Sequence, residues 1–156
     1  MIRELFYDPL MKLNWFGEGE WVNEHDFVYW VHLGIECKVR RVVRTEPFNR
    51  SHVFGGHLCG YCKLPENHPW LKPESLKNAE IDVHGGITSQ IDEQNWIGFD
   101  CAHLGDITPS MGSLLKRTGY KLELFKGEAY KNIAYAIKEC NELARQISEA
   151  MNATNT

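Results

Sequence analysis

Phe27-Val28-Tyr29-Trp30-Val31-His32-Leu33-Gly34-Ile35-Glu36-Cys37-Lys38-Val39-Arg40-Arg41-Val42-Val43 is dense in β-branched and aromatic residues and is broken only at Gly34. It reads as two strands, residues 27–32 and 35–43. In the second, Ile35, Cys37 and Val39 face one way while Glu36, Lys38 and Arg40 face the other, the pattern of a half-buried strand. Working outward, Thr45-Glu46-Pro47-Phe48-Asn49-Arg50 is a turn signal, and a third strand follows over residues 53–64. Pro65, Pro69 and Pro73 forbid a long helix between Leu64 and Lys77, which leaves a loop with one helical turn. Two more strands are expected at residues 80–84 and 95–102, separated by a loop around residues 90–94. Upstream, the stretch to about Asp26 mixes Phe6, Tyr7, Trp15, Phe16 and Trp21 with Gly17 and Gly19, and reads as irregular or strand-like packing over a sheet.

The far end follows a different period. Tyr130, Ile133, Ile137, Cys140, Ala144, Ile147 and Met151 recur three or four residues apart, with Lys131, Lys138, Glu139, Glu142 and Arg145 off that stripe. This is a long amphipathic helix built to lie across a sheet. Strands first and helix last do not alternate as βαβ units do. The expected class is therefore α+β: a mostly antiparallel sheet of about five strands with one long C-terminal amphipathic helix packed on it. Residues 1–151 are expected to form a single domain, and the polar residues 152–156 a frayed tail.

Composition narrows the function classes. The 156 residues are 43% hydrophobic and 24% charged, which describes a globular protein rather than a disordered one. A net charge of −4 argues against general nucleic-acid binding or an anionic-membrane surface. No apolar run approaches the roughly 20 residues of a membrane helix. Met1-Ile2-Arg3-Glu4-Leu5-Phe6-Tyr7-Asp8 lacks the basic start and apolar stretch of a signal peptide. Five cysteines then suggest reduced thiols in a cytoplasm.

Chemistry-bearing residues concentrate in the middle of the chain. Strand alternation over residues 80–84 sends Ile81 and Val83 to the core and Asp82 with His84 to the opposite face. Alternation over residues 95–102 likewise sets Asp100 opposite Ile97, Phe99 and Cys101. If these strands pair, Asp82, His84 and Asp100 converge on a glycine-lined surface, which His57 and Tyr61 can join. His103 and Asp106 follow just past a strand end, where functional loops are carried. Such a surface can exchange protons near neutral pH, bind a divalent metal, or recognise a polar ligand without chemistry. The plainer alternative is that these histidines satisfy nearby backbone groups. Gly85-Gly86 can expose amides to an anion or simply turn the chain.

Two other features have weaker chemical readings. Cys59-Gly60-Tyr61-Cys62 has the spacing of a redox pair, but Pro65 and Pro69 follow and no βαβ unit surrounds it. A zinc site completed by His68, Cys101 or His103 lacks a second CxxC, and alternation points Cys59 and Cys62 to opposite faces. Lys38, Arg40, Arg41, Arg44 and Arg50 form a basic group that is either a solvated strand face or a phosphate-recognition patch. Trp30, Trp70 and Trp96 can stack on a base, though packing is the commoner role of tryptophan.

Gly56-His57-Leu58-Cys59-Gly60-Tyr61, Asn67-His68-Pro69, His84-Gly85-Gly86-Ile87-Thr88 and Gly98-Phe99-Asp100-Cys101-Ala102-His103-Leu104-Gly105-Asp106 resemble a family of small uncharacterised proteins from bacteria and their phages. The resemblance spans about residues 28–147. Cys62 departs from the family pattern, which usually has valine there, and this weakens a CxxC function further. The resemblance implies a cytoplasmic, prophage-encoded protein and an anti-defence role through interference with a host's nucleotide signalling.

Together these lines lead to the expectation of a small hydrolase acting on a phosphorylated, nucleotide-like ligand. His84, His103 and Asp100 are the catalytic candidates, and Asp82, Asp100 and Asp106 would orient the imidazoles or hold a metal. His57 and Tyr61 would add ligand contacts, and Gly85-Gly86 with Arg40 or Arg44 would receive phosphate. The cofactor, the metal and the substrate stay open. The alternative is a non-catalytic binding protein, a homo-oligomer with sites between subunits, that sequesters a small nucleotide signal. A third reading is an interaction module whose polar cluster is structural.

Overall fold

The computed structural model describes residues 3–49, 53–111 and 130–154. In chain order they form β1 (Arg3–Leu5), α1 (Pro9–Phe16), a 3-10 turn (Glu20–Asn23), β2 (Phe27–His32), β3 (Ile35–Thr45) and β4 (Val53–Lys63). A second 3-10 turn (Pro69–Leu71), α2 (Pro73–Asn78), β5 (Trp96–Asp100) and α3 (Ile133–Thr154) complete them. The strands pair antiparallel in the order β1-β2-β3-β4-β5, and α3 lies across one face. The α+β reading holds. Four of the five expected strands form, and the three-residue β1 extends the sheet beyond β2.

The expected strand at residues 80–84 does not form. The outer edge of β5, where it would have paired, is taken by the next segment: Thr88 and Ser89 both donate backbone N–H groups to the Gly98 carbonyl. The 82–84 backbone is held instead by side chains of α3. Asp82 N–H donates to Gln146 Oε1 at 2.8 Å, Gln146 Nε2 donates back to the Asp82 carbonyl at 2.7 Å, and His84 N–H donates to Glu139 Oε2 at 2.9 Å.

Two end regions also differ from expectation. The N-terminal stretch contains a helix, started by Asp8, whose Oδ1 accepts from Leu10 N–H at 2.8 Å, with Pro9 at the first position. The terminal helix runs on through Thr154 rather than fraying at residue 152.

Ile35, Cys37, Val39, Leu58, Cys62, Ile97 and Phe99 meet Ala136, Cys140, Leu143, Ala144 and Ile147 to form the core. At Gly60 a Cβ would stand 2.4 Å from the Phe99 ring and 2.6 Å from Cys140 Sγ, so glycine is what lets α3 come this close. A second, polar knot sits under α1. Asp26 accepts from Lys12 Nζ at 3.0 Å and from Arg41 Nε at 2.5 Å, and Arg41 also donates to the Gly56 carbonyl and to Tyr130 Oη. Lys12, Asp26 and Arg41 are all buried, so each charge survives there only because it is paired. No helix among the described residues is long and apolar enough to cross a membrane.

Candidate functional site

Two glycine turns and one helix face build a cluster at the end of β5. The first turn, Val83-His84-Gly85-Gly86, closes through Gly86 N–H donating to the Val83 carbonyl at 2.9 Å. Its third residue, Gly85, takes a positive φ of +66°, a conformation that glycine adopts without strain. The second turn closes through Asp106 N–H donating to the His103 carbonyl at 2.9 Å. Asp106 Oδ2 accepts His103 N–H in return, at 3.0 Å, so this turn is fastened twice.

The same Asp106 oxygen lies 2.7 Å from His84 Nε2, and the other nitrogen of that ring, Nδ1, lies 2.8 Å from Tyr135 Oη. Tyr135, Glu139 and Gln146 present one polar stripe of α3 to residues 82–84, beside the apolar stripe that covers the sheet. Burial raises the Tyr135 phenol above its usual range, so it stays protonated and hydrogen-bonds as a hydroxyl. His103 packs edge-on against His84, with ring centres 5.6 Å apart. A Cβ at Gly85 would lie 2.2 Å from the His103 ring, so glycine is required there for space as well as for φ. His103 Nδ1 sits 3.4 Å from Asp100 Oδ1 and 3.9 Å from Asp106 Oδ2, shielded from water but without a hydrogen-bonded partner among the described residues. Asp100 Oδ1 meanwhile accepts from Ala102 N–H at 3.0 Å and ends the strand.

The structure thus brings together His84, His103, Asp106, Asp100 and Gly85. They do not converge as paired strands: His84, Gly85, His103 and Asp106 gather on loops, and only Asp100 joins them from a strand, at the end of β5. The other candidates lie elsewhere. Asp82 is tied through its backbone to Gln146. The Gly86 amide is spent on its turn, so the glycine pair acts first as a bend. Tyr61 and Arg40 stand on the sheet face opposite α3, where the Tyr61 ring covers Gly98 and Arg40 is exposed. On that face Lys38 Nζ lies over Trp96, 4.0 Å from its ring centre. Arg44 is exposed near the end of β3, opposite Phe54. His57 is half-buried on β4; burial lowers its pKa, opposed by the carboxylates of Asp100 and Asp106 and reinforced by Arg44 and Arg41.

The basic patch is smaller than expected because Arg41 turns into the buried knot, and Arg50 lies outside the described residues. The cysteine readings fall away. Cys62 faces α3, 3.6 Å from Cys37 Sγ and donating to the Cys140 carbonyl, while Cys59 is on the other face. Burial pushes the Cys59 thiol up to about 11 and raises Cys62 and Cys101 as well, which disfavours the reactive thiolate. His68 bridges Trp70 N–H and the Ile147 carbonyl with its two nitrogens. Trp30 donates to Asn141 Oδ1, and Trp70 packs on the core.

A cavity of about 800 Å³ opens at Gly86, lined by Leu76, Ala79, Ile81, Ile87 and Ile91 between α2 and the 86–91 loop. Its apolar walls begin next to the turn that carries His84. Tyr135 and Glu139 are the site residues that the pattern along the chain does not single out. Comparison of the chain with protein-family models, with curated proteins and with solved structures finds no match.

Proposed function

We propose that this protein is a small hydrolase acting on a phosphorylated, nucleotide-like ligand bound beside the His84–Asp106–His103 cluster. The observation that carries the proposal is the single carboxylate oxygen of Asp106 that meets His84 Nε2 at 2.7 Å and His103 N–H at 3.0 Å. The buried carboxylate fixes the His84 ring directly and the His103 loop through its backbone, which sets two imidazoles side by side for proton transfer. In this reading the cluster takes a proton from a water molecule as its oxygen attacks phosphorus. The bond from phosphorus to the leaving oxygen breaks, and the proton returns to that oxygen. The cavity at Gly86 suits the apolar or planar part of the ligand.

A thermal-shift screen of the purified chain against linear and cyclic nucleotides, with each stabilising compound recovered and chromatographed, tests this. Cleaved ligand, with cleavage lost in His103→Gln while stabilisation persists, is the expected result. Ligand recovered intact would replace hydrolysis with sequestration. No stabilisation by any phosphorylated compound would remove both readings and leave the cluster structural.

A further inference from the structure

We infer that His84, His103 and Asp106 form a binding site for one first-row transition-metal dication of the Zn²⁺ class. His84 Nε2, one imidazole nitrogen of His103 and one carboxylate oxygen of Asp106 lie within 4.8 Å of one another. His103 Nδ1 lies 3.9 Å from Asp106 Oδ2 and 3.4 Å from Asp100 Oδ1, shielded from water and without a hydrogen-bonded partner among the described residues. Ligand bonds of ~2.0–2.2 Å place the donors of a tetrahedral site about 3.4 Å apart. The separations of 2.7 Å and 3.9 Å from Asp106 Oδ2 bracket that value, so adjustments of the order of an ångström at two side chains suffice.

Three further features agree with a metal rather than with a bare hydrogen-bonded pair. His84 Nδ1 is held at 2.8 Å by Tyr135 Oη. With the proton on Nδ1 and donated to Tyr135 Oη, a neutral His84 presents its Nε2 lone pair to Asp106 Oδ2 2.7 Å away, and a dication shared by the two satisfies both acceptors. Metal-binding histidines are characteristically anchored in this way through the nitrogen that does not ligate. The donor set of two imidazoles and one carboxylate favours a borderline transition metal over Mg²⁺ or Ca²⁺, which prefer all-oxygen shells. Finally, three protein ligands leave a coordination position open for water or for an oxygen of a bound molecule, as at catalytic rather than structural sites. Tyr135 acts on the metal only through His84 and is a positioning residue.

The inference concerns the same side chains as the hydrolase proposal but stands on metal binding alone. The full chain, stripped with EDTA and dialysed, is titrated with Zn²⁺ by calorimetry, and the bound metal is measured by elemental analysis. The same protein is loaded with Co²⁺ to record its visible absorption. One Zn²⁺ per chain is expected. His103→Ala should abolish stoichiometric binding, Tyr135→Phe should weaken it by roughly 10–100-fold, and His32→Ala should leave it unchanged. Because His103 is partly exposed, its variant is expected to keep the fold, and circular dichroism checks that. Absence of saturable Zn²⁺ binding, or binding of equal strength in His103→Ala, overturns the inference. Hydrolysis can fail while Zn²⁺ still binds, and the two proposals are separated by that result.

Discussion

Gly85→Ala is the most discriminating substitution that the structure offers. Two costs are expected, and they differ in origin. The residue sits at φ +66°, where a side chain with a Cβ is disfavoured by about 1–2 kcal/mol. The new Cβ would also lie 2.2 Å from His103 Cε1, whereas ordinary contact begins near 3.4 Å, so the ring must retreat by about 1.2 Å. Forcing that ring off its preferred rotamer adds about 0.5–1.5 kcal/mol. The total is about 1.5–3.5 kcal/mol in the wild-type background. In a His103→Ala background the second cost disappears and only about 1–2 kcal/mol remains. Any gain from stiffening the unfolded chain is common to both backgrounds and cancels in the cycle. Urea unfolding followed by tryptophan fluorescence on the four proteins of this cycle measures the coupling. A value near 1 kcal/mol is expected, beyond the ~0.5 kcal/mol scatter of independent sites. The same displacement should weaken Zn²⁺ binding, because it pushes the His103 ring off the position from which it would ligate. Equal destabilisation by Gly85→Ala with and without the His103 ring would refute the packing on which the site is built.

Other consequences are equally open to measurement. Asp26→Asn takes from buried Lys12 and Arg41 their shared carboxylate, leaving only Glu24 at 3.7 Å from Arg41, and should cost about 3–5 kcal/mol, read as a melting temperature lowered by about 6–20 °C. His68 has its pKa lowered by burial, so the unfolded chain binds the proton more readily than the fold does. Its contribution is present above the ordinary imidazole value of ~6.5 and is lost as pH falls through the lower folded value. Urea midpoints should therefore drop between pH 7 and pH 5, and His68→Asn should flatten that slope; an unchanged slope would show that other groups set it. The five free thiols are buried, so the native protein should react slowly with a thiol reagent and release all five equivalents only in denaturant. Rapid reaction of even one thiol under native conditions would contradict this packing.

The fold was legible where one physical signal dominated. The alternation of Ile35, Cys37 and Val39 against Glu36, Lys38 and Arg40 sets β3 correctly because one face of that strand is buried and the other is not. The stripe through Cys140, Ala144 and Ile147 likewise marks the buried face of α3, though that face also takes in Ala136 and Leu143, and Ile133 and Ile137 lie at its half-buried margin. Residues 80–84 alternate just as well, yet form no strand. Alternation reports burial on one side and says nothing about whether a sheet edge is free to pair, and here residues 88–89 occupy that edge. The candidate site was half legible for the same reason. His84, His103, Asp100 and Asp106 stand out as types near glycine turns, but their convergence depends on α3, far away in sequence. Tyr135 and Glu139 look like ordinary solvated helix residues until the 82–84 loop is laid against them.

Glu24 joins the two ends of the chain, accepting from Tyr130 Oη at 2.7 Å and from Ile133 N–H at 2.5 Å, the first residue of α3. That contact spans 109 positions. During synthesis, the sheet through β5 therefore emerges with its apolar face uncovered. Roughly 50 further residues, about 3–10 s of elongation, must follow before α3 can close over it. The same helix carries Tyr135, so the cluster is assembled in the same event that hides the core. A nascent chain of this protein is at its most sticky just before it becomes competent to bind anything.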